Sequence, residues 1–243
     1  MGLLENYRDH VTGLLDRLVE TQGRAIAEAA AMVAESWASD GLAYVTGSGH
    51  SHMIAEEVFY RAGGPAPVQA ILDPALMLHE GAQESSMLER VEGYARTVLG
   101  NYPLGAKDVL FVVSNSGRNA FPIEAALHAK ACGTRTIAIT SLSAASGSPS
   151  RHSSGRLLHE IADLAIDNHV VAGDAALRLA ARDVVMGPVS TIAGAFIVNA
   201  IMAEAVDALA ARGIAVDVYQ SANVEGSNAA EIVERWRGRI KGL

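Results

Sequence analysis

The chain has 243 residues, of which 50% are apolar and 5% are aromatic, and its formal net charge is −8 at pH 7. This length and apolar content suit one sizeable folded domain and exclude an intrinsically disordered chain. The acidic balance, with no basic stripe, excludes nucleic acid as a general partner. Cys132 is the lone cysteine and cannot form an internal disulfide, which favours a reducing, cytoplasmic compartment.

The N-terminal segment is predicted to be helical and to carry no targeting signal. Apolar residues keep a helical spacing in two runs, from Leu4 to Leu18 and from Ile26 to Trp37, so we expect a helical hairpin over residues 1–40. The first residues lack the charged-then-apolar order of a signal peptide. The most apolar stretch, Ile192 to Ala203, is too short for a bilayer and is interrupted by Asn199, so we expect no membrane association.

Beyond Gly41 the chain alternates strand and helix patterns, which predicts a parallel sheet covered on both faces. The predicted strands are 42–46, 67–71, 109–113, 136–140 and 163–167, and the predicted helices are 51–62, 84–99, 120–131, 190–211 and one from Asn228 onwards. Residues 141–156, rich in Ser, Gly and Pro, are expected to form a mobile loop or lid. The stretch 174–187 is ambiguous between strand and helix, and Val216–Tyr219 is a candidate for a final strand.

These elements predict one α/β/α sandwich with a central, doubly wound parallel sheet and the N-terminal helical hairpin. A single domain is expected over residues 1–243, with the hairpin at 1–40, the α/β core at 41–212 and a C-terminal extension at 213–243. The sequence shows no domain linker, and its one internal similarity is between two strand-to-helix loops.

These two Gly/Ser loops are the most informative part of the sequence. The first is Gly47-Ser48-Gly49-His50-Ser51, and the second is Ser114-Asn115-Ser116-Gly117-Arg118-Asn119. Because the carboxyl ends of parallel strands meet at one edge of a sheet, both loops are expected to aim N–H groups and hydroxyls into one crevice. Such a crevice suits an anionic, polyhydroxylated ligand, and the pair of loops favours a sugar phosphate.

The second loop has the donors that a phosphate monoester needs. Ser114, Ser116 and the N–H of Gly117 stand at the start of helix 120–131, and Asn119 adds an amide. The alternative is a polar turn that only caps the helix, although a cap needs one such side chain rather than several. Arg118 either pairs with the phosphate or stays solvated.

The first loop does not complete a dinucleotide-binding fingerprint. Gly47 and Gly49 fit G-x-G, but His52 stands where the third glycine belongs, and no acidic ribose-binding residue is evident at the end of the next strand. His50 and His52 form H-x-H, whose side chains diverge at a helix start, so we expect no metal site and no cofactor. His50, inside the loop, is predicted to contact the ligand.

The order strand, G-x-G-x-S, helix, followed by strand, S-x-S-G-x-N, helix, resembles the SIS (sugar isomerase) family of phosphosugar-binding domains. A later Ser190-Thr191 at the start of an apolar helix is a third shared element. The resemblance implies that the phosphate and sugar hydroxyls are held by Ser51, Ser114, Ser116 and Asn119, with Ser190 and Thr191 nearby. Because members commonly dimerise with active sites at the subunit interface, it also implies a homodimer or homotetramer.

The loops and the resemblance together define the predicted ligand-contacting residues. They are Gly47, Ser48, Gly49, His50, Ser51, Ser114, Asn115, Ser116, Gly117, Arg118, Asn119, Ser190 and Thr191.

Within the family, the phosphoheptose isomerases are similar in length, and their first-loop helix carries a His and a Glu that serve metal and acid–base roles. Here those positions fall on Glu57 and Arg61, an ordinary i,i+4 surface pair. The lysine of the glucosamine-6-phosphate synthase isomerase domain falls on Ile192. Neither mechanism transfers, which favours an uncharacterised bacterial subgroup of phosphosugar-binding proteins.

Aldose–ketose isomerisation needs a base that moves a proton between C1 and C2, and a group that assists ring opening. Residues 73–84 hold the densest titratable set near a strand end, with Glu80 as the first candidate base, Glu84 as the second, and His79 or His50 for ring opening. The alternative for Glu84 is an acid in the first turn of a helix, where it offsets the dipole. His169, Asp174, Asn223 and Glu225 are further polar groups on loops that could reach the crevice.

Two kinds of function remain open from the sequence. The first is an enzyme, a sugar-phosphate isomerase or a related phosphosugar lyase or deaminase that uses the same enediol or enamine chemistry. The second is a non-catalytic protein that senses a sugar phosphate and regulates a partner. Regulators in this family usually carry a helix-turn-helix, and residues 1–40 are too short and too acidic for one.

Overall fold

A computed structural model describes residues 2–179 and 183–243 of the chain. Its helices are α1 (Leu3–Ala38), α2 (His52–Val58), α3 (Ala82–Leu88), α4 (Tyr94–Leu99), α5 (Ala120–Ala131), α6 (Leu142–Ser146), α7 (Leu158–Ile161), α8 (Ser190–Ala211) and α9 (Ala229–Trp236). The strands are β1 (Ala43–Gly47), β2 (Val68–Ala70), β3 (Val109–Val113), β4 (Arg135–Thr140), β5 (Leu164–Asp167), β6 (Leu177–Leu179) and β7 (Val184–Met186).

The core of the molecule is a five-stranded parallel sheet in the order β2-β1-β3-β4-β5. Alternate side chains of each strand point to opposite faces, so Phe111 packs with α1, α2 and α8, whereas Leu110 packs with α4, α5 and α7. Every residue of β1 and β3 is buried because helices cover both faces. The predicted α/β/α sandwich with a doubly wound parallel sheet is confirmed.

The N-terminal segment is one helix of 36 residues, and the predicted hairpin is wrong. The two apolar runs belong to a single stripe whose middle position is the polar residue Gln22. Its Oε1 accepts a hydrogen bond of 3.1 Å from the backbone N–H of Asp167 at the end of β5. Gly23 has open space around it and forms no turn. A polar side chain that bonds to the sheet thus interrupts the apolar spacing without interrupting the helix.

Other predicted elements differ from the observed ones in length or type. The predicted helix 84–99 is divided into α3 and α4 by a turn that ends at Gly93, whose φ of +89° is left-handed. The predicted helix 51–62 begins with a 3-10 turn and ends at Val58. Val218 forms an isolated antiparallel bridge with Pro65 rather than a strand. The ambiguous stretch 174–187 contains the antiparallel pair β6 and β7, and its residues 180–182 lie outside the described part of the chain.

Among the described helices, α8 alone is long and apolar enough to cross a membrane by length and composition. Its buried face, which includes Ile197, Ile201 and Leu209, packs against α1 in the larger of the two main core clusters. Core helices of globular proteins pass the same test, and the packing of α8 accounts for its apolar character.

Candidate functional site

The two Gly/Ser loops lie side by side at the carboxyl edge of the sheet. β1 and β3 are neighbours, and Gly47 pairs with Val113 at the ends of the two strands. Each loop turns at a glycine with a left-handed backbone, Gly49 at φ +57° and Gly117 at φ +58°. A Cβ on Gly117 would lie only 2.9 Å from the Thr140 hydroxyl, so this position needs glycine for space as well as for conformation.

A cleft opens where these loops meet the end of β5 and the start of α8. Its lining consists of His50, Ser51, Ile54, Val113, Asn115, Ile139, Asn168, Ser190, Thr191 and Gly194. Five predicted ligand-contacting residues are therefore together: His50, Ser51, Asn115, Ser190 and Thr191. Asn168 was not predicted, and it donates a 3.0 Å hydrogen bond from Nδ2 to Asn115 Oδ1. The cleft thus offers a cluster of neutral donors and acceptors over an apolar floor.

The second loop does not behave as a simple helix cap. Asn119 stands at the N-cap position of α5, but its side chain makes no capping hydrogen bond. The N–H of Phe121 donates instead to the backbone carbonyl of Glu89 at 3.0 Å. Ser114 is buried, and its hydroxyl accepts a hydrogen bond of 3.2 Å from Gly117 N, while Ser116 is half-buried and its hydroxyl has no hydrogen-bond partner among the residues that the structure describes. Asn119, the residue at the N-cap position, therefore does not cap α5 through its side chain.

Glu89 bridges the two loops through its carboxylate. Ser48 Oγ donates to Glu89 Oε2 at 2.7 Å, and Asn119 Nδ2 donates to Glu89 Oε1 at 2.6 Å. Sequence reasoning missed this residue because it was placed inside a continuous helix 84–99. The real helix ends at Leu88, and the turn that follows aims Glu89 at the loops. The loops therefore already hold an anionic group between them.

Arginines surround the second loop. Arg151 Nη1 donates to Asn119 Oδ1 at 3.0 Å, and the N–H of Arg151 donates to the Arg118 carbonyl at 2.8 Å. Partial desolvation lowers the pKa of Arg151, and the nearby charges of Arg118 and Arg90 lower it further. Arg118 Nε is buried and has no hydrogen-bond partner within the described residues. This cationic surround suits an anionic ligand on the second loop.

The start of α8 is fixed by an aspartate from the preceding loop. Asp174 Oδ1 accepts hydrogen bonds from Val189 N at 2.9 Å and Ser190 N at 3.1 Å, and Oδ2 accepts one from Ser190 Oγ at 2.6 Å. Asp174 adopts a left-handed backbone with φ +51°. The hydroxyl of Ser190 is thus committed to Asp174, while Thr191 beside it lines the cleft.

The predicted catalytic residues lie outside the cleft lining. His79 and Glu80 are 62% and 59% exposed and face each other, with Nε2 3.5 Å from Oε1. Glu84 is exposed in the first turn of α3, which is the alternative that the sequence left open. The loop that carries these residues adjoins the first Gly/Ser loop, since a Cβ on Gly49 would lie 3.9 Å from Leu78. Their catalytic role stays a prediction.

His50 and His52 lie in different environments. His50 is exposed at the cleft, whereas His52 is 2% exposed inside α2. Burial lowers the pKa of His52, an effect that nearby Glu56 opposes. Glu57 and Arg61 form a pair at 3.5 Å, as expected for surface residues four apart, and Asn199 also donates to Glu57.

The remaining polar candidates do not line the cleft. His169 contacts Thr21 of α1 through Nε2 at 2.6 Å and Asp167 through Nδ1 at 3.1 Å, so its ring joins β5 to α1. Asn223 and Glu225 are exposed on the segment before α9. Of the loop residues after β5, it is Asn168, next to His169, that lines the cleft.

Comparison with known proteins identifies relatives of the whole chain. A family model described as the SIS domain matches residues 6–141. The UPF0309 protein of Geobacillus thermodenitrificans is 44% identical over 99% of this chain and 98% of its own length. The UPF0309 protein Lm4b_02611 of Listeria monocytogenes is 41% identical over 98% of this chain and 97% of its own length.

Solved structures share the fold at low sequence identity. A phosphoheptose isomerase from Francisella tularensis aligns with a TM-score of 0.55 and 17% identity over 83% of this chain and 95% of its own. The sugar isomerase domain of an RpiR transcription factor from Sphaerobacter thermophilus aligns with a TM-score of 0.51 and 16% identity over 97% of both chains. One architecture therefore occurs in an isomerase and in a transcription factor.

Proposed function

The chain belongs to the SIS-domain family and, within it, to the UPF0309 proteins, and we propose that it is a sugar-phosphate isomerase that interconverts an aldose and a ketose. The observation that carries this proposal is the Glu89 carboxylate, which the hydroxyl of Ser48 and the amide of Asn119 hold between the two loops. Ser48 connects it to the first loop, whose His50 and Ser51 line the cleft of neutral hydrogen-bonding groups, and Glu89 lies close enough to Arg151 to affect its pKa. These are the three kinds of group that binding and isomerising a sugar phosphate require.

In this proposal the second loop binds the phosphate. Ser116 and the N–H groups of the loop donate to the phosphate oxygens, and Arg118 and Arg151 balance their charge. The buried, unpartnered Nε of Arg118 supports this assignment, since a buried cationic donor is costly without an acceptor. The sugar hydroxyls then extend along the cleft toward Ser51, Asn115 and Thr191.

Glu89 is the proposed base. Isomerisation removes a proton from C2 of the open-chain aldose, which gives an enediol, and returns a proton to C1, which gives the ketose, while one proton moves between the two oxygens. A carboxylate held by two neutral donors keeps its direction, as this step needs. Glu80, Glu84 and His79 remain the alternative groups for base and ring opening; like Glu89 they lie outside the cleft lining, and they are carried by an exposed loop.

The test is proton exchange at C2 in deuterated water with a panel of aldose and ketose phosphates, after thermal-shift screening for binding. Exchange and interconversion with one of these substrates support the proposal. Binding without exchange would instead favour a sensor, the second candidate function, which the shared fold of the RpiR sugar isomerase domain supports. Stabilisation by none of the phosphosugars would contradict both candidates.

The proposal extends to the oligomeric state and the cellular location of the protein. We expect a cytoplasmic homodimer or homotetramer, as the family relationship implies, and light scattering of the purified protein measures the oligomeric state. A related lyase or deaminase reaction on a phosphosugar would use the same base, and product analysis by mass spectrometry distinguishes it from isomerisation.

A further inference from the structure

Three side chains that the proposed function does not use converge behind the second loop. Glu92 lies in the turn before α4, Glu124 lies on α5, and His152 follows α6; each offers one ligand atom, and these atoms lie within 4.8 Å of one another. His152 Nε2 is 3.6 Å from Glu124 Oε1 and 3.8 Å from Glu92 Oε2. Both distances are too long for hydrogen bonds. In a tetrahedral zinc site with bonds of about 2.1 Å, two ligand atoms lie about 3.4 Å apart. Both distances are close to this separation.

Two of the three side chains are largely buried. The side chains of His152 and Glu124 are 10% and 16% exposed. Glu124 Oε2 is buried and has no hydrogen-bond partner within the part of the chain that the structure describes. A buried carboxylate oxygen without a partner is costly unless a cation or a donor meets it. The oxygen that lies 3.6 Å from His152 is the other one, Oε1, so a cation at the cluster satisfies Oε2 when Glu124 binds it through both oxygens.

Outer hydrogen bonds orient the three side chains toward their common centre. Gly93 N donates to Glu124 Oε1 at 2.6 Å, and Ser153 donates to Glu92 from its N–H at 2.6 Å and its hydroxyl at 2.7 Å. Ser154 contacts His152 at Nδ1, with its hydroxyl at 2.8 Å and its N–H at 3.2 Å. Nε2 is therefore the ring atom that faces the carboxylates. Such outer partners are typical of metal-binding carboxylates. On His152 the N–H of Ser154 donates to Nδ1, so the neutral ring carries its proton on Nε2 and releases it when Nε2 binds a metal.

We propose that Glu92, Glu124 and His152 form a binding site for Zn²⁺, with water as the fourth ligand. One imidazole and two carboxylates suit zinc, whereas Mg²⁺ and Ca²⁺ prefer oxygen ligands alone. The site joins the turn before α4, α5 and the segment after α6. Arg151, next to His152, donates to Asn119 of the second loop, so zinc fixes this arginine over the loop. Zinc binding itself does not depend on the proposed sugar-phosphate function.

The first test is calorimetric titration of ZnCl₂ into the full chain after dialysis against EDTA. We expect one equivalent of zinc to bind, and E92Q and H152Q each to weaken binding by more than the roughly 10- to 100-fold that loss of an outer-shell partner costs. H10Q is the matched control, because His10 lies on α1, which packs against α8 and β5. MgCl₂ at the same concentrations should give no saturable binding.

The second test is hydrogen exchange of the segment after α6. Zinc should slow exchange of the Arg151 and Ser153 amides in the wild-type chain and leave it unchanged in H152Q. Glu92 is 43% exposed, so E92Q should fold, and thermal unfolding in EDTA verifies this. The proposal is wrong if the wild-type chain binds no stoichiometric zinc, or if E92Q and H152Q bind it as tightly as H10Q.

Discussion

Asn119 Nδ2 lies 2.6 Å from the Glu89 carboxylate, a contact between the second Gly/Ser loop and the turn that follows α3. The opposite side of the same amide accepts a hydrogen bond from Arg151 at 3.0 Å. Asn119 therefore links an acid and a cation, and both are positioned by a residue that the sequence pattern placed at a helix start. This geometry motivates the first prediction.

Replacing the proposed base, Glu89, should slow the reaction while leaving phosphosugar binding almost unchanged. We expect E89Q to reduce C2-proton exchange by about 10²- to 10⁴-fold, the usual contribution of a general base, because the amide cannot take the proton. Glutamine keeps the size of the side chain, so the melting temperature and phosphosugar affinity should change little. E80Q is the comparison: if E80Q loses exchange and E89Q does not, the base is in the loop 73–84.

Removing one phosphate donor should weaken binding without disturbing the fold. We expect S116A to bind the phosphosugar about 10- to 100-fold less tightly, which corresponds to about 1.5–3 kcal/mol for a hydrogen bond to a charged group. Isothermal titration measures the affinity. S86A is the control, since the Ser86 hydroxyl is exposed and bonds only to its own helix. Equal affinity in S116A and the wild-type chain would mean that the second loop does not contact the phosphate.

The loop itself should depend on glycine at position 117. We expect G117A to destabilise the protein by more than the roughly 1–2 kcal/mol of a left-handed alanine, because the new Cβ would also press on Thr140 at 2.9 Å. Urea unfolding measures this free energy. G155A is matched to it, since Gly155 also has a positive φ but open space around it. Equal losses in the two variants would remove the steric argument.

The start of α8 should depend on Asp174. We expect D174A to lower the free energy of unfolding by about 1–3 kcal/mol, because two backbone N–H groups and the Ser190 hydroxyl lose their acceptor. Urea unfolding measures the loss. D207A, an exposed residue farther along the same helix, should be near neutral. An unchanged free energy of unfolding in D174A would show that water replaces the carboxylate at no cost.

Acid sensitivity should come partly from His52. Burial lowers its pKa in the folded state below the ordinary value of 6.5, so the unfolded chain takes up the proton first as the pH falls. The associated stability is complete above the ordinary pKa and is lost as the pH falls through that value toward the folded pKa. We expect H52Q to lose less stability than the wild-type chain between pH 8 and pH 5.5, measured by urea unfolding. Parallel curves for the two proteins would contradict this assignment.

The sequence predicted the parts of the fold that local patterns control. Strand 109–113 and helices 120–131 and 190–211 have the predicted bounds, because buried apolar runs and their flanking turns are local signals. The sequence also predicted that both loops meet at the carboxyl edge of the sheet, where Gly47 pairs with Val113. The predicted hairpin at 1–40 was wrong because Gln22 satisfies a tertiary hydrogen bond that spacing does not reveal.

The candidate site was predictable in its loops and not in its charges. Ser51, Asn115 and Thr191 lie where consecutive loop motifs put them. Glu89 and Arg151 reach the second loop through a helix break and a long connection, and their contacts with Asn119 span 30 and 32 residues. The cluster of Glu92, Glu124 and His152 likewise comes from three separate segments. No short motif connects such residues.

The packing of α1 against α8 determines the order in which this chain can complete its fold during synthesis. Tyr7 near the start of α1 donates to the carbonyl of Pro188, which is 181 residues later. The apolar stripe of α1 leaves the ribosome first, and its principal cover is made about 170 residues afterwards, roughly 10 to 35 s later at ordinary translation rates. Until then α1 exposes Leu18, Val33 and their neighbours, which the finished protein buries. We therefore expect the part of this stripe that packs on α8 to stay uncovered over most of the synthesis of the chain.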